Sequence, residues 1–152
     1  MANLDPSLSP LAWELLTATR RATLTTLDAR DRRPRSVPIC FVLVETTIYS
    51  ALDDKPKSIQ DPRLLRRVRN LEVDPRATIL VDRWDEDWER LAFVEVACRG
   101  LLLPPDSDEH RTAVDALRAK YPQYRAHRLE ERPLLRFAIL STTDWRAAAP
   151  RA

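Results

Sequence analysis

The sequence predicts a mainly β protein, an antiparallel barrel of six strands with about three helices inserted between them. Segments with strand-like and helical patterns follow one another in the order helix, three strands, helix, two strands, helix, strand. That order lacks the regular alternation of strand and helix that a doubly wound parallel sheet requires. The chain also has a single glycine, Gly100, which excludes the glycine-rich phosphate loops of dinucleotide-binding and P-loop folds.

The first elements are a helix and a β-hairpin. Ser9 followed by Pro10 predicts a helix start, because serine caps the N-terminus and proline suits the first helical position. We expect this helix to end near Arg20 or Arg21. Residues 22–27, rich in threonine and leucine, suit a strand, and the polar residues 28–34 then form a hairpin connection to the next strand.

The centre of the chain predicts two strands and a helix. Residues 37–44 are almost wholly apolar, which indicates one strand buried on both faces. Pro38 has no amide donor and must therefore lie at an edge or a bulge of the sheet. Residues 46–52 form the next strand, and Asp61 before Pro62 predicts the start of a helix that runs to Val73.

The last third of the chain predicts three more strands and one helix. Residues 77–82 and 91–103 are strands, and an acidic, aromatic loop connects them. A helix follows over residues 107–120, and residues 134–140 form the last strand.

Length and charge limit the function classes. The 152 residues, of which 44% are apolar, predict a single domain over 1–152 with flexible ends at 1–8 and 147–152. A net charge of +2 is too small for a nucleic-acid binder. No apolar run approaches the roughly 20 residues that span a bilayer, and the N-terminus does not resemble a signal peptide. We therefore expect a cytoplasmic protein with no membrane partner.

The cysteines and histidines do not suggest a metal site or a catalytic thiol. Cys40 and Cys98 fall within apolar strand-like runs and are interpreted as core residues. His110 and His127 lie in polar segments without ligand or catalytic spacing. The sequence therefore predicts no metal and assigns no catalytic residue.

Two lysines give the strongest indication of a binding site. Only three of the 25 basic residues are lysines, and two of them, Lys55 and Lys57, flank one proline. They follow a predicted strand and precede a predicted helix start, a place that attracts phosphate or carboxylate. A lysine is a compact, flexible point charge suited to phosphate. The alternative is a solvated surface turn.

Several segments together match one known family in order and spacing. They are residues 22–28, 36–41, 48–51, 55–57, 70–82, 87–91 and 120–125. On these segments the chain resembles the pyridoxamine 5'-phosphate oxidase-like split-barrel proteins, in particular their deazaflavin branch, the coenzyme F420-dependent oxidoreductases. The match runs from about Leu15 to Trp145, nearly the whole chain.

The resemblance implies a six-stranded split β-barrel of the FMN-binding type. It also implies a homodimer that holds a flavin or deazaflavin in a groove between its two subunits. The cofactor ring is expected against the strand that begins at Ser36, Val37 and Pro38. The residues implied nearer the phosphate are Tyr49, Ser50, Ala51, Lys55, Lys57 and Ser58.

The charge pattern favours the deazaflavin, coenzyme F420, over FMN. Its tail is a phosphodiester followed by several glutamates, a longer polyanion than a single phosphate. Arg63 and Arg67, with Arg66 and Arg69 on the same predicted helix, are expected to bind the glutamate carboxylates. The alternative is a solvated amphipathic helix with arginines on its outer faces.

The implied reaction is hydride transfer between the reduced deazaflavin and a small organic substrate. Trp84 and Trp88 are expected either on the substrate side of the groove or as aromatic anchors of a dimer interface. A proton would come from water or from Tyr49. The hairpin departs from the family pattern, so no cofactor role is expected for Arg30 or Arg32.

Three other functions remain open at this point. They are an FMN-binding flavoprotein of the pyridoxamine phosphate oxidase type, a non-catalytic deazaflavin carrier, and a dimeric structural protein without cofactor.

Overall fold

The structure is a computed structural model that describes residues 7–52 and 65–148. These residues form seven strands and three α-helices. The strands are β1 (Ala22–Leu27), β2 (Pro34–Ile39), β3 (Val42–Val44), β4 (Thr47–Ala51), β5 (Arg76–Arg83), β6 (Ala92–Leu103) and β7 (Leu134–Arg146). The helices are α1 (Pro10–Ala18), α2 (Arg66–Val73) and α3 (Asp108–Lys120).

The strands form one antiparallel sheet that curls into a half-barrel. Its strand order is β2-β1-β5-β6-β7-β4-β3. β2 and β3 are separated by only Cys40 and Phe41, yet they lie at the two ends of the sheet. The sheet must therefore curl on itself, and the predicted mainly β, antiparallel split barrel is confirmed. Pro38 lies on the edge strand β2, where its missing amide breaks no ladder.

The prediction of one strand over residues 37–44, buried on both faces, is wrong. The chain leaves β2 after Ile39 and turns at Cys40 and Phe41 before β3 begins. At this corner side chains take the place of the backbone hydrogen bonds between strands. The Tyr121 hydroxyl accepts from the Phe41 amide at 3.0 Å and donates to the Phe41 carbonyl at 2.9 Å. Ser50 donates to the Cys40 carbonyl at 2.7 Å. The barrel therefore has one strand more than predicted among the described residues.

Two predicted ends also differ from the structure. β7 continues beyond residue 140 to Arg146, because backbone pairing with β6 persists through a polar, exposed segment that lacks apolar alternation. α1 ends at Ala18 rather than near Arg20. Of the helix predicted over residues 62–73, the described part is Arg66–Val73, and residues 62–64 lie outside the described residues.

The core consists of two apolar clusters, one on each side of β4. Ile48 points into the half-barrel, where it joins Phe41, Phe137 and the buried face of α1. Tyr49 and Ala51 point the other way and pack under α3. Cys98 is buried in the first cluster as predicted, whereas Cys40 is only half-buried beside the second. No helix among the described residues is long and apolar enough to cross a membrane.

The ends of α1 and α3 cap each other. Lys120, the last residue of α3, donates to the Leu16 carbonyl of α1 at 3.5 Å, and Arg20 donates in return to the Lys120 carbonyl at 2.5 Å. The Lys120 ammonium lies 3.8 Å from the centroid of the buried Phe41 ring. Burial, with a smaller effect of the neighbouring Arg20, lowers the pKa of Lys120 to about 8. The contacts of Lys120 and Arg20 thus join both helices to the corner between β2 and β3.

We predict that Gly100→Ala destabilises the fold by overpacking. A Cβ atom at this position would lie 2.8 Å from the Phe137 ring and 2.9 Å from Leu71 of α2. Overpacking of a core typically costs about 1–3 kcal/mol of unfolding free energy. Urea unfolding measures the loss. In the Leu71→Ala background the same change should cost less, because the clashing methyl groups are gone; an equal cost in both backgrounds would contradict the packing account.

We predict that the Lys120 ammonium makes stability depend on pH. Below pH 8 the ammonium is protonated in both the folded and the unfolded protein, and burying its charge destabilises the folded state. Between pH 8 and its ordinary pKa of 10.5 the folded state releases the proton first, so stability rises with pH. Partial exposure reduces the gain to roughly 1 kcal/mol. Unfolding free energies of the wild type relative to Lys120→Met should rise over this range, and parallel profiles would refute the prediction.

Candidate functional site

The outer face of the sheet carries a groove across β1, β5, β6 and β7. Its volume is about 390 Å³. Among the described residues the lining is mostly small or apolar and includes one charged side chain, Arg76. The residues that line it are Thr25, Thr26, Leu27, Pro34, Arg76, Ala77, Thr78, Ala97, Cys98 and Leu140.

The strand register produces the floor of this groove. Ser36, Thr25, Thr78 and Ala97 are successive partners across β2, β1, β5 and β6, so four small side chains form one row on the outer face. The Ser36 and Thr25 hydroxyls are hydrogen-bonded at 2.8 Å. Leu140 follows the buried Ile139, and a register shift in the pairing of β6 with β7 sets its side chain, 54% exposed, beside the row. The result is a flat platform with an apolar wall.

A buried carboxylate holds the arginines at one end of the groove. Asp74 accepts from Arg76 Nε at 3.1 Å and from its terminal nitrogen at 2.8 Å, a bidentate pair. Arg32, from the hairpin between β1 and β2, donates to the same carboxylate at 2.6 Å. The Arg76 and Arg32 hydrogen bonds hold the pKa of Asp74 well below its usual range, and Asp74 in turn raises the pKa of Arg76.

A second carboxylate, Asp28, organises the hairpin itself. It accepts from the Arg30 amide at 2.8 Å and from Arg35 Nε at 3.2 Å, and Arg66 of α2 approaches to 3.9 Å. The backbone hydrogen bond from Arg30 is the largest cause that lowers the pKa of Asp28, and Arg35 adds to it. Asn70 of α2 also bonds to the hairpin, accepting from the Ala29 amide at 2.9 Å. The hairpin, α2 and β5 therefore meet at one end of the sheet.

We call the guanidinium groups at this end the arginine rim. Arg76 lines the groove and Arg99 is its cross-strand partner, while Arg32, Arg35 and Arg66 are joined to this end of the sheet through Asp74 and Asp28. The members are Arg32, Arg35, Arg66, Arg76 and Arg99, the last being the cross-strand partner of Arg76.

The opposite end of the outer face is aromatic and acidic. Trp84 and Trp88, predicted for the substrate side, lie in the connection between β5 and β6 and are 65% and 69% exposed. Nearby, Phe93 and Trp145 of β6 and β7 stack with ring centroids 5.9 Å apart. Arg76 and Arg99 thus lie where β5 begins, whereas the end of β5 leads into an aromatic, mainly acidic connection in which Arg83 and Arg90 form ion pairs with carboxylates.

The structure brings only part of the predicted β2 and β4 residues to the groove. Ser36 lies exposed at its edge, in hydrogen-bond contact with Thr25, and Pro38 is exposed farther along the same strand. Val37 points away, half-buried against the core inside the half-barrel.

Tyr49, Ser50 and Ala51 are all buried in β4, away from the lining of the groove. Tyr49 donates to Glu109 of α3 at 2.7 Å, and burial, followed by that carboxylate, raises the pKa of Tyr49 to about 12. The Ser50 hydroxyl donates its hydrogen bond to the Cys40 carbonyl.

Four of the predicted cofactor-binding residues, Lys55, Lys57, Ser58 and Arg63, lie outside the described residues. Arg67 is half-buried on α2, one residue from the rim arginine Arg66.

The sequence pattern did not identify the platform or the two carboxylates. Thr78 and Ala97 look unremarkable along the chain, and only the register aligns them. Asp74 follows the predicted end of the helix at Val73, and nothing in its local sequence indicates the two arginines that it binds. Among residues 7–52 and 65–148, no group of His, Cys, Asp and Glu side chains could hold a metal. His110 is buried, and its Nε2 lies 2.7 Å from the Arg132 carbonyl.

This geometry fits a ligand with a planar ring and an anionic tail. Small side chains allow a flat ring to approach the sheet closely, while bulky side chains would hold it away. The bidentate Arg76–Asp74 pair fixes a cation at one end of the platform. These are the features that a flavin-type cofactor requires of its site.

Solved structures with the same fold come from several bacteria. A conserved hypothetical protein from Mycobacterium tuberculosis is 15% identical, with 100% of this chain and 95% of that chain covered and a TM-score of 0.73. A FAD-binding protein from Mesorhizobium loti is 22% identical over 90% of this chain and 92% of that one, with a TM-score of 0.63. HutZ, the heme storage protein from Vibrio cholerae, is 16% identical over 91% and 94%, with a TM-score of 0.67.

These likenesses establish the fold. No curated protein matches the sequence at a significant level. The profile of one family, pyridoxamine 5'-phosphate oxidase, matches residues 9–146, which include every strand and helix described above. This match, together with the split-barrel topology, shows that the chain belongs to the pyridoxamine 5'-phosphate oxidase family.

Proposed function

We propose that this protein is a cytoplasmic coenzyme F420-dependent oxidoreductase that acts as a homodimer on a small organic substrate. The observation that carries the proposal is the platform of small side chains that ends at the arginine rim. The family and one FAD-binding structural neighbour support a cofactor of this class, and the charges of the site favour the deazaflavin with its anionic tail.

The platform suits the cofactor ring. Thr25, Thr78 and Ala97 present two hydroxyls and a methyl group at one level, and Leu140 rises beside them. A planar ring on such a surface buries apolar area without displacing side chains. Ser36 extends the row to the edge strand, as the family resemblance suggests.

The arginines suit a long anionic tail better than one phosphate. Among the described residues, four of the rim arginines, Arg32, Arg35, Arg66 and Arg76, form ion pairs with three carboxylates, Asp28, Asp31 and Asp74. Arg66 remains 56% exposed on α2. We assign the phosphate to Lys55, Lys57 and Ser58, and the first glutamates to the arginines of α2, including Arg63 and Arg67.

A second copy of the chain would complete the site. The groove is open to solvent, and Leu80, Leu101 and Trp145 are exposed on the same face of the sheet. Exposed apolar side chains of this kind mark an interaction surface. A covering subunit would exclude water from the ring and hold the substrate against it. Trp84 and Trp88 would then lie either against the substrate or in the subunit contact.

The bound cofactor supplies hydride chemistry, and the residues of this chain bind and orient it. Tyr49 is a poor proton donor in this arrangement, because its hydroxyl is bonded to Glu109 beneath α3 and its pKa is raised to about 12. The remaining source suggested by the sequence is water at the open side of the groove. We therefore expect turnover to be insensitive to Tyr49→Phe when the fold is intact.

Titration of the purified protein with coenzyme F420 and, separately, with FMN tests the proposed cofactor. We expect saturable binding of coenzyme F420, with FMN at least tenfold weaker. Preferential FMN binding would establish the flavoprotein alternative. Oxidation of the reduced deazaflavin by a panel of quinones and enones then separates an enzyme from a carrier, since a carrier binds without turnover. Binding of neither compound would overturn the proposed function.

We predict that Ala97→Trp strongly weakens cofactor binding. The indole would cover the platform at its centre, while the exposed position limits the effect on folding. Fluorescence titration should show at least tenfold weaker binding. Ala126→Trp, exposed in a short helix outside the groove, is the matched control and should bind like the wild type. Wild-type affinity in Ala97→Trp would place the cofactor elsewhere.

We predict that Lys57→Ala weakens binding of coenzyme F420 by more than tenfold. That factor corresponds to over ~1.4 kcal/mol, the loss of one charge-assisted contact with the phosphate. Lys57→Arg keeps the charge and should lose less. Isothermal titration calorimetry measures both variants, and an unchanged Kd in Lys57→Ala would refute the role assigned to this lysine.

A further inference from the structure

We propose that Arg99, together with Arg76 and Arg32, binds carboxylates of the cofactor's glutamate tail at the end of the groove. The proposal rests on the proposed function and deepens it by giving the tail a defined contact on the sheet. It assigns a role to Arg99, which neither the sequence pattern nor the family resemblance suggested, and to Arg32, for which the sequence predicted no cofactor role.

The first observation is a pair of like charges on adjacent strands. Arg76 of β5 and Arg99 of β6 are direct cross-strand partners. The Gly100 amide donates to the Pro75 carbonyl at 2.8 Å, so residues 75 and 100 form a hydrogen-bonded pair. Because the two pair types alternate along an antiparallel ladder, Arg76 and Arg99 form the closer, non-hydrogen-bonded type. Their Cβ atoms therefore lie roughly 5 Å apart, where like charges destabilise a sheet.

The second observation is that the fold compensates only one of these charges. Asp74 binds Arg76 and is shared with Arg32. Arg99 is exposed, and within residues 7–52 and 65–148 no carboxylate forms an ion pair with it. Its neighbours on the outer face are Ala97, Leu101 and Ala138, none of which carries a charge. The strand pair thus retains an uncompensated repulsion that an anionic ligand would relieve.

The third observation is that the neighbouring cations are held in place. Arg76 is bound to Asp74 through two of its nitrogens. Arg32 reaches the same carboxylate because its positive φ of 63° closes the hairpin toward α2. Fixed guanidinium groups lose little freedom when they bind a ligand, and the N–H groups of Arg76 and Arg32 that do not bind Asp74 can donate to a ligand carboxylate. Arg76 also lines the groove, so an anion bound here is continuous with the platform for the ring.

The alternative is that Arg99 is a solvated side chain that serves only solubility. The two accounts differ in measurable ways. A ligand-binding arginine held against a like charge should cost stability and contribute affinity, and a solvated arginine should do neither. Arg99→Gln separates them, because Arg99 makes no described contact that folding would lose.

The experiment compares Arg99→Gln with the wild type and with Arg125→Gln. Arg125 is an exposed arginine in a short helix away from the groove, so its replacement removes the same net charge elsewhere. Each protein is titrated with coenzyme F420 and with the deazaflavin chromophore that lacks phosphate and glutamates. We expect Arg99→Gln to bind the full coenzyme at least fivefold more weakly and the tailless chromophore equally well. Its thermal midpoint should equal or exceed that of the wild type, and Arg125→Gln should bind both compounds normally.

Wild-type affinity of Arg99→Gln for the full coenzyme, or an equal loss for both compounds, would overturn the proposal. Absence of binding by the wild type would instead defeat the proposed function. In that case an oligoglutamate peptide is titrated while the arginine Nε–Hε resonances are followed by NMR. Saturable shifts at Arg76 and Arg32 that Arg99→Gln weakens would support the anion site on its own, and unchanged resonances would reject it.

Discussion

The carboxylate of Asp74 is the interaction on which the candidate site depends. It is buried where α2 ends and β5 begins, and it binds Arg76 from its own strand and Arg32 from the hairpin between β1 and β2. An uncompensated buried charge would be costly, so the carboxylate and its two arginines stabilise one another. Three elements are thereby joined at one end of the sheet, and the same contact fixes the cation that borders the groove. The ion pairs of Asp74 thus both hold the fold together at this end of the sheet and determine the charge beside the groove.

The outer face combines this fixed charge with a surface that only strand register can create. The alignment of Thr25, Thr78 and Ala97 across three strands keeps side chains short where a ring would lie, and the irregularity in β7 supplies Leu140 as a wall. The inner face of the same strands is filled by the core, which makes the platform rigid. Rigid small side chains beside fixed guanidinium groups are a preorganised binding surface, and affinity gained in this way requires little reordering of the protein.

The sequence was sufficient where local chemistry decides the structure. Ser9 caps α1 as its position predicts, and the predicted strand over residues 91–103 and helix over residues 107–120 both form, the helix with Ser107 as its N-cap. It was insufficient where distant groups decide. The corner between β2 and β3 depends on hydrogen bonds from Tyr121, 80 residues away from Phe41, and Asp74 meets Arg32 across 42 residues. The extension of β7 and the row of small side chains both result from pairing with a neighbouring strand. Neither feature therefore produces a periodic hydrophobic pattern in the sequence.

A crystal structure of the protein with coenzyme F420 tests the central claim most directly. The account predicts the deazaflavin ring over Thr78 and Ala97 on the outer face of the sheet, covered by a second copy of the chain, with the tail directed toward Arg76. A ring bound on any other surface, or a groove filled by the side chains of a partner subunit, would contradict it.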